Sequence, residues 1–342
     1  MSAAPTESDP APRPAKRQRT SENDPDAPSY EKDVSFWFED GNIVLVSAQG
    51  TGFRVHLGIL SLNAEFFCDM SGLALPDRGE GGFTLLHVTD STRDLSHFLH
   101  AFYTRAYFYT GKPTHYDALD SMLRMSTKYL AQKLRSDLIK HLIMIYPPEM
   151  AKVRMHQHLI DPDQKCHSLY AIAMAREHDI PDILPTAFYF ASTISPATLI
   201  QIHSDASDLV LITSAREKII NAAYRDAWGW LFQGRSTSIM CFRKRLCQGR
   251  RLNVIHRIAL YPEQVPSLFL QDMPHQAERA RQDSSDSESE SEDEYGDEND
   301  RVCSTCLGEW RASEESGYKR MWLNLPSYFK LPGWEALLKN SQ

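Results

Sequence analysis

Residues 43–70 read IVLVSAQGTGFRVHLGILSLNAEFFCDM, and the spacing of apolar residues changes in the middle of this stretch. The run from Ile43 to Val46 and the run from Phe53 to His56 are joined by a segment that contains two glycines. Two short apolar runs around such a turn predict a β-hairpin. After the second run the apolar residues recur at helical spacing, and Ser61 and Asn63 as capping residues predict two short helices.

The next segments predict one further strand and three helices. Phe83 to Val88 has the composition of a strand, and Ser91 to Asp94 fits a capping box ahead of an apolar helical pattern. Two more helices are predicted over about Tyr116 to Tyr129 and about Gln132 to Tyr146, and Pro147 and Pro148 close the second. The predicted order is strand, strand, helices, strand, helix, helix, helix.

This order and its residues resemble the BTB/POZ domain over roughly residues 33 to 146. The residues that carry the resemblance are the hairpin leading into Phe53-Arg54-Val55-His56, then Ile59-Leu60, Asn63 with Phe66-Phe67 and Met70, and the stretch from Leu99 to Tyr109 before Gly111. The segments WFEDGNIVL and FRVHLGIL are similar to those of BTB-domain proteins from mushroom-type (basidiomycete) fungi. The resemblance implies an α+β BTB/POZ domain with a small mixed sheet and surrounding helices.

Behind this domain the sequence predicts a mostly α-helical domain. The predicted layout is a disordered arm over 1–32, the BTB/POZ domain over 33–148, the helical domain over 149–275, a disordered acidic linker over 276–301, and an aromatic-rich tail over 302–342. The tail is expected to pack on the helical domain, because tryptophans strung along a free tail would expose too much apolar surface.

The charge distribution argues against nucleic-acid binding. The formal net charge is −8, but ten acidic residues lie within 283–300, and without them the chain is nearly neutral. No broad basic surface is therefore expected, and no direct nucleic-acid partner is predicted. The apolar runs are also too short for a membrane-spanning helix, so no membrane partner is predicted.

The cysteines permit two interpretations. Cys303 and Cys306 have the CxxC spacing of half a zinc ribbon, and Cys241 and Cys247 offer two more sulfur ligands. The five-residue interval between Cys241 and Cys247 is wrong for the second half, and buried thiols without a metal explain the same residues. No metal ligand and no cofactor are predicted from the sequence, and zinc binding by these four cysteines stays open.

No catalytic residue is predicted either. His56 has no nucleophile or acid at a recognisable spacing, and in the resembled family this histidine is structural. Motifs for a P-loop, a serine nucleophile or a zinc protease do not occur in the sequence. The chain is therefore expected not to be an enzyme.

The BTB/POZ resemblance implies a homodimeric adaptor that recruits a protein partner, either a cullin ubiquitin-ligase scaffold or a transcriptional co-repressor. The expected dimer and interaction surface comprises Leu62, Phe66, Phe67 and Met70, since these are more apolar residues than one small core can hide. The alternative is a nuclear transcription regulator or co-repressor recruiter that acts through the BTB dimer. The basic run from Lys16 to Arg19 suits a nuclear import signal, so the expected location is nucleus, cytoplasm or both.

Overall fold

The computed structural model describes residues 30–72, 83–153, 155–160, 166–202, 205–232, 237–260 and 302–339. Over these residues the protein is a mixed α+β structure, mostly helical, with one four-stranded mixed sheet. Nearly all of the predicted arm over 1–32, the basic run within it, and the whole predicted acidic linker over 276–301 lie outside the described residues. The chain divides into two compact units, one that holds the sheet and one that holds most of the helices.

The sheet is built around the predicted hairpin. Strands β1 (Glu31–Trp37), β2 (Ile43–Val46), β3 (Thr51–Val55) and β4 (Thr84–His87) lie in the order β1-β3-β2-β4. Strands β2 and β3 pair antiparallel, which confirms the hairpin, and β4 pairs parallel to β2. All four residues of β2 are buried, and this strand has a neighbouring strand on each side.

Strand β1 was not expected from the sequence. Glu31 and Lys32, assigned to the disordered arm, lie opposite Thr51 and Gly52 in a parallel pairing with β3. Of the seven residues of β1 only Phe36 is buried. An edge strand with one buried side chain has too little alternation of apolar and polar residues to be recognised, and its pairing depends on backbone hydrogen bonds.

The helices follow in a long series. In chain order they are α1 (Leu57–Asn63), α2 (Glu65–Gly72), α3 (Thr92–Tyr103), α4 (Tyr116–Lys128), α5 (Gln132–Ile145), α6 (His167–Glu177), α7 (Leu184–Thr193), α8 (Pro196–Ile202), α9 (Ala206–Ala222), α10 (Gly229–Phe232), α11 (Lys244–Leu260), α12 (Ser304–Tyr328) and α13 (Trp334–Lys339). A π-helical turn, Ala223–Ala227, joins α9 to the segment before α10. Among the described helices no single one is long and apolar enough to cross a membrane. The segments Pro181–Thr193 and Pro196–Ile202 meet that criterion only as a pair, which is bent by 112°.

Helices on both sides of Pro148 share one apolar core. Buried residues of α4, α5, α6, α7 and α9 belong to a single cluster. Within it the hydroxyl groups of Tyr116 and Tyr146 lie 2.7 Å apart, and the Tyr146 hydroxyl lies 2.6 Å from Nδ1 of His167. Each buried polar group in this chain of contacts has a partner, which keeps the cost of burying it low.

Helix α12 completes this core. Trp310 stacks on Trp230 with ring centroids 4.6 Å apart, and Phe329 stacks on Phe188 at 5.1 Å. The indole N–H of Trp322 donates to the carbonyl oxygen of Pro148 at 2.6 Å. The C-terminal aromatic residues are therefore core residues of the helical unit.

A buried histidine gives this unit a predicted pH dependence. His141 is fully buried on α5; its Nδ1 accepts from the Gly111 N–H at 3.2 Å, while its Nε2 has no hydrogen-bond partner among the described residues. Burial lowers the pKa of His141 to about 4. The folded protein thus binds this proton less readily than the unfolded chain, so its contribution to stability is complete above pH 6.5 and is lost as the pH falls towards 4.

We expect the free energy of unfolding to fall by roughly 2 kcal/mol between pH 8 and pH 5 on account of His141. His141→Asn retains a hydrogen-bond acceptor and cannot be protonated, so it should flatten the pH profile by about that amount, whatever its stability at pH 8. Urea unfolding of both proteins across this range measures the difference. Equal pH slopes in the two proteins would contradict the assignment.

Candidate functional site

Four cysteines from two distant parts of the sequence meet in the helical unit. Cys241 lies in a turn closed by its N–H donating to the Ser238 carbonyl at 3.0 Å, and Cys247 lies in the first turns of α11. Cys303 is the N-cap of α12, and Cys306 lies in the first turn of that helix. The described chain thus brings two helix starts and one turn to the same point.

The four Sγ atoms form one compact buried group. They all lie within 4.8 Å of one another, and all four residues are buried. The Sγ atoms of Cys303 and Cys241 are 3.7 Å apart, far beyond the roughly 2.05 Å of a disulfide bond. None of these four cysteines forms a disulfide bond within the described residues.

Three backbone N–H groups donate hydrogen bonds to sulfur atoms of this group. The N–H of Ser238 donates to Sγ of Cys306 at 3.3 Å, the N–H of Cys303 to Sγ of Cys247 at 3.4 Å, and the N–H of Cys306 to Sγ of Cys303 at 3.5 Å. The Ser238 hydroxyl donates to Oε1 of Glu309 at 2.6 Å, which ties the turn around Cys241 to α12. Amide donors aimed at sulfur stabilise thiolates rather than neutral thiols.

Ionisation of these thiols is strongly coupled. Burial raises the pKa of Cys247 to about 11, and burial also raises the pKa of Cys306 well above its usual range. Burial acts in the same direction on Cys303, but hydrogen bonds from the Cys306 backbone and from neighbouring thiols outweigh it and lower the Cys303 pKa. Buried thiols this close ionise together only when a positive charge lies among them.

The sequence left zinc binding by these four cysteines open, and the structure brings their four Sγ atoms together. The interval between Cys241 and Cys247 is wrong for a zinc-ribbon knuckle, but the turn at Ser238 and the start of α11 present both sulfurs to the same point. The zinc-ribbon spacing rule applies to two cysteines on one tight hairpin. Here the tertiary packing of separate segments sets the positions of the cysteine sulfur atoms. The burial of all four cysteines in one group depends on that packing and cannot be seen in their spacing along the sequence.

A second group of candidate ligands, Asp120, Glu177 and His178, has a different character. The guanidinium of Arg124 lies 2.6 Å from Oδ2 of Asp120 and 3.0 Å from Oε1 of Glu177. It also donates to Asp94 at 3.2 Å. The positive charge that these carboxylates require is supplied by an arginine, so this group is an ion-pair network and not a metal site.

Two histidines of the described chain, His56 and His97, lie in ordinary contacts. Nε2 of His56 lies 3.2 Å from Oδ1 of Asp40, an aspartate that is 84% exposed at its side chain. Nδ1 of His97 lies 2.5 Å from the hydroxyl of Tyr107. Neither histidine is held against a nucleophile or a group of metal ligands in the part of the chain that the structure describes.

The four predicted interaction residues do not share one environment. Leu62 is 86% exposed and Phe66 is 41% exposed, whereas Met70 is half-buried. Phe67 does not belong to a surface: it is fully buried and stacks on Tyr129 with ring centroids 4.9 Å apart. Burial removes Phe67 from the predicted surface, and Leu62 and Phe66 are its most exposed members.

No protein-family model, curated protein or solved structure matches the chain.

Proposed function

We propose that the protein is a non-enzymatic, dimeric adaptor of the BTB/POZ class that recruits a protein partner. The element order supports the proposal: a hairpin, the helix pair α1 and α2, strand β4, and then helices α3, α4 and α5. This is the order in which the sequence resembles that class. The recruited partner is proposed to be a cullin ubiquitin-ligase scaffold or a co-repressor.

The observation that carries the proposal is an exposed apolar patch formed by Leu62, Phe66 and Leu130. The Glu65 N–H donates to the Leu130 carbonyl at 3.3 Å, which places the end of α4 beside the start of α2. Leu130 is 42% exposed, and the ring of Phe66 lies edge-on to Tyr129 at 5.2 Å. Apolar side chains fixed on rigid helices and left in water are typical of a surface that a second molecule covers.

The occupant that we propose is a second copy of this chain. A twofold dimer buries the same patch from both copies, so each exposed leucine or phenylalanine contributes twice. Burying an apolar side chain of this size contributes about 1.5 to 3 kcal/mol to the free energy of association. One substitution in the patch changes both copies, so its effect on the dimer is doubled.

The Leu62→Glu and Phe66→Glu double variant is expected to convert the dimer into a monomer, because charges buried in an apolar interface are left unpaired. Light scattering of the full chain at tens of micromolar measures the mass. The matched control is Val210→Glu on α9, which is 68% exposed outside this patch and should leave the dimer intact. A wild-type chain that is monomeric at this concentration would overturn the dimer.

The partner class can be tested with the same variants. Affinity purification of tagged wild-type protein followed by mass spectrometry should recover a cullin or a co-repressor subunit. Recovery of a co-repressor together with nuclear staining would favour the alternative of a nuclear transcription regulator, for which the basic run from Lys16 to Arg19 and the acidic tract within 283–300 are the sequence support. The proposed location is nucleus, cytoplasm or both.

A further inference from the structure

We propose that the thiolates of Cys241, Cys247, Cys303 and Cys306 bind one zinc ion in a closed structural site. The site goes beyond the adaptor function, and neither depends on the other. It joins the region before residues 261–301 to the region after them, since two ligands come from each side.

The distances fit a single metal ion. Zinc bound tetrahedrally with Zn–S bonds of about 2.3 Å holds its sulfur atoms about 3.8 Å apart. The separation between Sγ of Cys303 and Sγ of Cys241 is 3.7 Å, and no pair among the four exceeds 4.8 Å. An iron–sulfur cluster distributes its cysteines over two or more iron atoms bridged by sulfide ions, so the thiolates on different iron atoms lie farther apart than thiolates that share one ion.

The ligand type favours zinc over other abundant divalent ions. Thiolate is a soft ligand that suits zinc and is a poor ligand for magnesium and calcium, which take oxygen. Four cysteines also complete a tetrahedral site, so no position remains for a substrate or a reactive water. The expected role is therefore to hold the fold together and not to catalyse a reaction.

The surroundings are those of a site built for thiolates. Four thiolates around one dication retain a net negative charge. The backbone N–H groups of Ser238, Cys303 and Cys306 donate to the sulfur atoms and so disperse this charge. Cys303 also caps the positive end of α12, where an anion is stabilised. Cys68 is exposed and Cys166 is half-buried, and neither belongs to the group.

The first test is the metal content of the full-length wild-type protein, purified without chelators. Elemental analysis should find about one zinc per chain. Replacement of the metal by cobalt(II) should produce the sulfur-to-cobalt charge-transfer absorption and the intense visible bands of a tetrahedral tetrathiolate. Iron in place of zinc, or a folded chain without bound metal, would overturn the proposal. This measurement needs no variant, so a variant that fails to fold cannot obscure it.

The second test compares cysteine variants. Cys247→Ser and Cys303→Ser are each expected to lose the bound zinc and to lower the Tm, whereas Cys68→Ser and Cys166→Ser should retain both. A strong chelator should lower the Tm of the wild-type protein and leave that of Cys303→Ser unchanged. If the wild-type Tm resists chelation while its zinc is removed, the ion does not support the fold. Loss of zinc with the dimer retained, or the reverse, separates this proposal from the adaptor function.

Discussion

Gly317→Ala is expected to destabilise the protein by about 3 kcal/mol or more, or to prevent it from folding. Gly317 lies in the middle of α12, where this helix crosses the π-helical turn Ala223–Ala227. A Cβ atom added at Gly317 would overlap the carbonyl oxygen of Asp226 and the backbone N and Cα of Ala227. Backbone atoms inside two packed helices cannot move aside as a flexible side chain can, so the helices must separate.

The matched control for this prediction is Gly308→Ala in the same helix. Apart from its chain neighbours and the surrounding backbone of α12, no described residue has an atom within 4 Å of the Cβ position at Gly308. Alanine forms helix more readily than glycine, so this variant should be neutral or more stable by up to about 1 kcal/mol. Thermal and urea unfolding of both variants check the pair. Equal effects of the two substitutions would show that the close helix crossing is not as described.

Trp228→Ala is expected to cost about 3 to 5 kcal/mol, because Trp228 is fully buried and its removal leaves a large cavity. Its indole N–H donates to the hydroxyl of Tyr318 at 3.0 Å, and that hydroxyl donates to Oε1 of Glu314, also at 3.0 Å. The expected loss of stability therefore has two sources, the cavity left by the indole ring and the disruption of a buried hydrogen-bond network.

A double-mutant cycle separates the two contributions. Trp228→Phe keeps most of the ring and removes the N–H donor, and Tyr318→Phe removes the hydroxyl. If the contact between them stabilises the fold, the double variant should lose less than the two single variants together, by about 1 kcal/mol. Additive losses in urea unfolding would mean that the hydrogen bond contributes nothing, and only the volume of Trp228 would matter.

Much of the sheet and of helices α1 to α5 was predictable, because each signal there is local. The break between α1 and α2 was expected from Ser61 and Asn63, and it occurs there, although the capping role differs. Ser61 donates to the Phe67 carbonyl at 3.0 Å, and the Asn63 side chain donates to the Ile59 carbonyl at 2.8 Å. Helices α4 and α5 begin and end within a residue or so of the expected positions.

What could not be predicted depends on contacts between distant residues. Strand β1 has one buried side chain, so only its pairing with β3 defines it. The cysteine group joins distant parts of the sequence. Cys247 and Cys303 are 56 positions apart, yet the Cys303 N–H donates to Sγ of Cys247. Helical spacing could place Phe66 and Phe67 on a helix. It could not predict which of the two is buried, because both lie in the same apolar pattern.

The position of α12 in the sequence has a consequence for synthesis on the ribosome. The aromatic side chains of Phe188 and Trp230 are made well before their stacking partners Phe329 and Trp310, which belong to the last part of the chain. Until Trp310 and Phe329 have been synthesised, the nascent helical unit exposes the rings of Phe188 and Trp230 to solvent. Its dependence on chaperones should therefore last until α12 has left the ribosome.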